Sequence, residues 1–113
     1  RMTRLLGRTK ALDLMLNAKR LSPKEALDIG LVEAVFAPEE LMPKVMEYAT
    51  ALSERAPLSV QAIVQSSTAF MYKGIEEGLK VEASTSKRCV ASKDATEGFT
   101  AFMEKRKPNF KGE

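Results

Sequence analysis

Phe102 and Lys105 stand three residues apart in the stretch EGFTAFMEKRKPNF, residues 97 to 110. On a helix, that spacing projects both side chains from one face about one turn apart. A flat ring beside an ammonium suits a purine nucleotide, with stacking for the base and a point charge for phosphate. The same stretch allows a plainer account of its charge. Lys105, Arg106 and Lys107 in the last turn of a helix would offset the partial negative charge of its carbonyl end. The residues alone leave both readings open.

Other chemistry is narrowed by what the 113 residues omit. There is no histidine, which removes Ser-His-Asp and Cys-His catalysis and argues against a zinc site. The single cysteine, Cys89, cannot make an internal disulfide and reads as a small buried hydrophobe. Asp28, Glu33, Glu39, Glu40, Glu76 and Glu77 all have ordinary surface explanations, and the scattered glycines form neither G-x-G-x-x-G nor a P-loop. No catalytic residue and no metal ligand is therefore assigned. The 18 basic and 15 acidic side chains leave a net charge of +3, weaker and less one-sided than polyanion binders show, so no nucleic-acid partner is expected. No apolar run approaches the length of a bilayer span, and nothing resembles a secretory leader. The expected setting is a soluble, reducing compartment, with no membrane partner.

The elements that must carry these residues are well punctuated. The chain opens on Arg1-Met2-Thr3-Arg4-Leu5-Leu6, already in amphipathic register, and reads as a chain entered partway through an element. Gly7 stops that first piece. Ala11, Leu12, Met15 and Leu16 then share a helical face, with Asn17 at its C-terminal end. In LSPKEALDIGLVEAVF, Ser22 is an N-cap, Pro23 the first helical position and Glu25 the other half of a capping box. Gly30 ends that helix, and residues 31–36 read as a short strand. A lone strand is stable only in a sheet supplied elsewhere, which again points to a missing part.

Pro38 starts the next helix, with Glu39 and Glu40 at its positive end; Pro43 in its first turns leaves a later start open. Its stripe is Leu41, Met42, Val45, Met46, Ala49 and Leu52. Pro57 opens a helix carrying Val60, Ile63, Val64 and Met71. Ile75, Leu79, Ala83 and Val90 line one side of the following helix, where Glu76 and Lys80 form a surface pair. Ser92 or Asp94 caps the last helix, Asp94 with Glu97 making a box-like arrangement. Ala95, Phe99, Phe102 and Met103 fall on its face, and Pro108 stops it.

SKDATEGFTAFMEKRKPNFKG resembles the C-terminal signature of the crotonase, or enoyl-CoA hydratase/isomerase, superfamily, S-x-D-x-x-E-G-x-x-A-F-x-E-K-R-x-P-x-F. The matching residues are Ser92, Asp94, Glu97, Gly98, Ala101, Phe102, Glu104, Lys105, Arg106, Pro108 and Phe110. Two further segments agree in order. Residues 1–41 are similar to the family's run from Q-R-L-x-R-x-x-G to E-A-x-x-x-G-L-V, and IEEGLKVE resembles its G-L-x-x-E helix. The similarity covers essentially the whole chain.

The resemblance implies a mainly α chain: the C-terminal helical, trimerisation region of a crotonase ββα-spiral fold, with one short strand near 31–36. Residues 1–36 would end the crotonase core, and residues 37–113 would oligomerise and cover the coenzyme. The family's oxyanion hole and its catalytic glutamates precede the Q-R-L segment, so the resemblance gives no residue here a catalytic role. By match to the terminal motif, Phe102 and Lys105 correspond to positions lining the nucleotide end of coenzyme A, the ring near adenine and the lysine at phosphate. Arg106 and Lys107 stay with the solvated reading. The implied substrate is an acyl-CoA thioester, with no covalently bound cofactor, and the implied assembly a homotrimer or hexamer. Glu82 is followed by Ala83-Ser84-Thr85-Ser86 where many members place bulky residues bordering the acyl pocket, so no acyl-chain preference carries over. The competing expectation is a helical module that only oligomerises.

Overall fold

A computed structural model describes all of residues 1–113. It contains seven helices and no strand: α1 (Met2–Leu6), α2 (Arg8–Leu16), α3 (Pro23–Asp28), α4 (Pro38–Ser53), α5 (Pro57–Lys73), α6 (Ile75–Val90) and α7 (Lys93–Glu104). Two compact units are present, Arg1–Glu47 and Tyr48–Glu113.

In the first unit Gly7, at φ 77°, separates α1 from α2 in a conformation that costs glycine nothing. The inward face of α2 runs through Ala11 and Leu14, both buried, while Met15 and Leu16 are exposed. The expected face is therefore corrected: Ala11 is buried as read, but the next buried position is Leu14, not Met15 or Leu16. The capping box of α3 forms as read: Ser22 Oγ accepts from Glu25 N, and Glu25 Oε2 accepts from Ser22 N at 2.8 Å. The Ser22 hydroxyl also donates to Glu25 Oε2 at 2.6 Å, and this bond, with that from Ser22 N, holds the Glu25 carboxyl below its ordinary pKa. Gly30, at φ 74°, closes the helix, and Leu31 N donates to Ala26 O at 2.9 Å.

The strand expected over residues 31–36 is absent; the segment bends at 31–33 and continues as irregular backbone. Val32, Glu33 and the residues after them have β-compatible side chains, but the chain contains no second strand to complete a ladder. Pro43 does not delay α4, which starts at Pro38 and runs through it. As the sixth residue of α4, Pro43 lies past the first turn and removes one intrahelical hydrogen bond, a local cost that the helix carries. No α4 residue is buried, and Leu41, Met42, Val45 and Met46 are all exposed.

The second unit is built on α5 and α6, joined at Gly74 (φ 90°) and packed antiparallel. Their seam consists of small residues. Ala62, Ala69, Gly78 and Thr85 are buried, and Ser66 Oγ meets Thr85 Oγ1 at 3.3 Å. Thr85 also donates to Val81 O at 2.8 Å, which satisfies its hydroxyl inside the seam. Arg88 hydrogen-bonds Gln61 at the far end. Ile75, Leu79, Ala83 and Val90, the apolar side read from the sequence, are exposed. Small side chains let the two backbones approach, and the larger apolar groups are left on the opposite faces. Lys80 pairs with Glu77 at 3.8 Å rather than with Glu76, an exposed contact of little energetic weight. Cys89 is half-buried, not enclosed.

Candidate functional site

Ser92 caps α7, its Oγ accepting from Ala95 N at 3.0 Å. Asp94 does something the local sequence did not suggest. It is 4% exposed, and its carboxylate accepts two backbone hydrogen bonds from the chain's end: Lys111 N to Oδ1 and Gly112 N to Oδ2, each at 2.7 Å. Its own N–H donates to Glu113 O at 3.1 Å. Residues 105–113 thus double back along α7. Lys93 and Glu113 pair at 2.7 Å, and their mutual hydrogen bond raises the lysine pKa and lowers that of the carboxyl.

Glu97 forms the second clamp. Its two oxygens accept from Arg106 Nη1 at 2.6 Å and Nη2 at 2.9 Å, and Oε1 also accepts from Asn109 N at 2.8 Å. Arg106 Nε donates to Glu104 Oε2 at 2.6 Å. Asp94 and Glu97 therefore hold the tail rather than forming a box at the helix start. One turn on, the Phe110 ring lies 3.4 Å from where a Cβ on Gly98 would stand.

The basic knot is corrected in the same way. The helix ends at Glu104, so Lys105, Arg106 and Lys107 lie beyond it and not in its last turn, and the chain has turned before Pro108. Lys105 takes a left-handed conformation, φ 55° and ψ 38°. Its N–H donates to Phe102 O at 3.2 Å, and Arg106 N to Ala101 O at 3.0 Å. This is the Schellman pair, which satisfies carbonyls at the helix end by backbone donors instead of side-chain cations. Arg106 is committed to Glu97 and Glu104, and Lys107 reaches Glu54 at 2.6 Å. The Lys105 ammonium makes no ion pair or hydrogen bond with the chain. Phe102 is 79% exposed on the turn just before it.

The Arg106 and Asn109 hydrogen bonds depress the Glu97 carboxyl from its ordinary 4.5 to about 2. A lowered folded-state pKa gives stability that is complete above about 4.5 and is lost as pH falls towards 2. Thermal unfolding of the chain across that window should lose stability with acid, and Glu97→Gln should flatten that loss. An unchanged acid profile in the variant would show that the pair contributes nothing to folding.

Across its whole length, residues 1–113, the chain matches the family model of enoyl-CoA hydratase/isomerase. The chain belongs to that family. It is 37% identical over 110 residues to the crotonyl-CoA hydratase of Syntrophomonas wolfei, covering 97% of this chain and 42% of that protein. It is 36% identical over 107 residues to the short-chain-enoyl-CoA hydratase of Clostridium acetobutylicum, covering 95% and 41%. The crystal structure of the enoyl-CoA hydratase from Bacillus anthracis superposes with a TM-score of 0.93 at 32% identity, over 99% of this chain and 43% of that one. The chain thus spans less than half the length of these enoyl-CoA hydratase relatives.

Within this family member, most of the terminal signature has a structural explanation. Ser92 caps, Asp94 and Glu97 clamp, Gly98 lies against the Phe110 ring, Ala101 is buried, and Arg106 bridges two glutamates. Phe102 and Lys105 are matched residues whose side chains are left exposed, the ring at 79% and the ammonium without an ion pair. The clamps were missed by local reading because their partners lie 9 to 18 residues away. The signal available was the joint presence of Glu97 and Arg106 in one ordered motif.

Proposed function

We propose that this chain is the C-terminal helical part of an enzyme acting on acyl-CoA thioesters, and that Phe102 and Lys105 cover the nucleotide end of coenzyme A. The carrying observation is the division of labour in the basic knot: Arg106 and Lys107 are ion-paired, while Lys105 is left free in the turn that follows the exposed Phe102 ring. Chemistry through an oxyanion-stabilised enolate would rest on residues upstream of this segment. Residues 1–36 would complete the core and 37–113 would form the covering and assembly region. CoA enters as part of the substrate, with no covalently bound cofactor. The exposed apolar residues of α4 to α7, among them Met42, Met46, Leu79 and Phe99, fit burial against that core and against sister subunits of a trimer or hexamer. No helix is long and apolar enough to cross a membrane; a cytoplasmic or matrix setting accords with the enzyme class.

In the polypeptide carrying both core and tail, Lys105→Ala should raise KM for CoA thioesters roughly tenfold, the worth of one charge-assisted contact. Pantetheine thioesters, which lack the nucleotide, should respond far less. Lys105→Gly removes the same ammonium while suiting the left-handed turn better, so it separates charge from conformation. Equal effects on both substrate types would remove Lys105 from the phosphate site. The same exposed apolar faces favour a second reading, a helical module that only oligomerises; coding sequence ahead of Arg1 lacking the catalytic glutamates would select it.

A further inference from the structure

We infer that Glu97 and Arg106 are positioning residues for Lys105, holding its ammonium at the nucleotide phosphate without touching the nucleotide. This rests on the reading of Lys105 given above. The left-handed conformation of Lys105 is one that a residue with a Cβ adopts at a cost, and it needs surrounding structure to persist. Beyond the Schellman pair of backbone hydrogen bonds, that structure includes the Arg106 guanidinium. It ties the residue after Lys105 to Glu104, the residue before it, and to Glu97 two turns back on α7. Glu97 in turn holds the outgoing backbone at Asn109 N. The turn bearing Lys105 is therefore pinned on both sides by one set of charge-assisted hydrogen bonds.

The same network keeps the ammonium available. Glu97 and Glu104 are the carboxylates of this helix end, and both are occupied by Arg106. Without the guanidinium, either carboxylate becomes a competing partner for Lys105. Arg106 thus fixes the turn and sequesters the anions that would otherwise capture its functional cation.

The test uses the polypeptide with core and tail, and compares CoA with pantetheine thioesters. Arg106→Ala and Glu97→Gln should each raise KM for CoA thioesters about threefold to tenfold, with the smaller substrate moving less. In a Lys105→Ala background both should lose that effect, because nothing remains to be positioned. Arg106→Lys, which keeps the charge but not the fork, should fall between wild type and Arg106→Ala. Glu97→Gln supplies the decisive sign. If only the net field mattered, removing a negative charge would lower KM, and a lowered KM overturns the inference. Additive effects with Lys105→Ala overturn it as well. If Arg106→Ala does not fold, Glu97→Gln and Arg106→Lys carry the comparison. A silent Lys105→Ala would remove the nucleotide reading and this inference with it, whereas an effective Lys105→Ala beside a silent Glu97→Gln sinks the inference alone.

Discussion

Asp94→Ala should release the C-terminal tail from α7 and cost the folded chain about 2–4 kcal/mol. The carboxylate is buried and accepts from Lys111 N and Gly112 N at 2.7 Å each, one backbone donor per oxygen. Hydrogen bonds to an ionised acceptor are worth about 1.5–3 kcal/mol apiece, and rehydration of the freed amides recovers part of the sum. Asp94→Asn offers one carbonyl oxygen where two accepted, so about half the loss should remain. Urea unfolding gives the magnitude, and hydrogen exchange at the Lys111 and Gly112 amides gives the place. Unchanged exchange at those two amides in Asp94→Ala would show that the carboxylate does not hold the tail.

Gly78→Val should be the most damaging single change in the α5–α6 seam, at about 2–3 kcal/mol. A Cβ at this position would stand 2.6 Å from Cγ and Cδ1 of the Phe70 ring, far inside contact distance. Glycine in a helix interior ordinarily costs about 1 kcal/mol relative to alanine, so its presence in mid-turn of α6 already signals a packing reason. Gly78→Ala would gain that helix term but force the ring aside, for a net loss of about 1 kcal/mol. Trimming the ring with Phe70→Leu in the Gly78→Ala background should recover part of the loss, a favourable coupling that thermal denaturation can measure. Gly78→Ala melting above the wild type would mean that Phe70 has room to move and that the close approach is not needed.

The two variants bear on different halves of the proposed role. Gly78 lies in the seam that lets α5 and α6 present their large apolar residues outward, where a core or a sister subunit can cover them. Asp94 holds the tail whose first turn carries Lys105. Losing the seam should weaken assembly, and losing the clamp should weaken the response to the nucleotide.

What the sequence determined alone is the punctuation and the family. Gly7, Ser22 with Pro23 and Glu25, Gly30, Pro38, Pro57 and Ser92 sit at or beside the helix boundaries observed, because caps and breaks act through backbone dihedrals and hydrogen bonds within four residues. The three ordered motifs identified the family for the same reason: motif order is a property of the chain, independent of its packing. Spacing also singled out Phe102 and Lys105, though it wrongly put Lys105 inside the helix. Which helical faces turn inward was decided only in three dimensions. Helical spacing grouped Ile75, Leu79 and Val90 on one side, yet the buried seam runs through Ala62, Ala69, Gly78 and Thr85. Burial depends on which surface is available to meet, and the neighbouring helix offered one where only small residues fit. The segment 31–36 stayed without a strand because a ladder needs a partner from elsewhere in the chain. Asp94 and Glu97 looked like capping residues until the tail's amides and Arg106 reached them across 9 to 18 positions. That long-range closure is what separates the free cation, Lys105, from the two committed ones beside it.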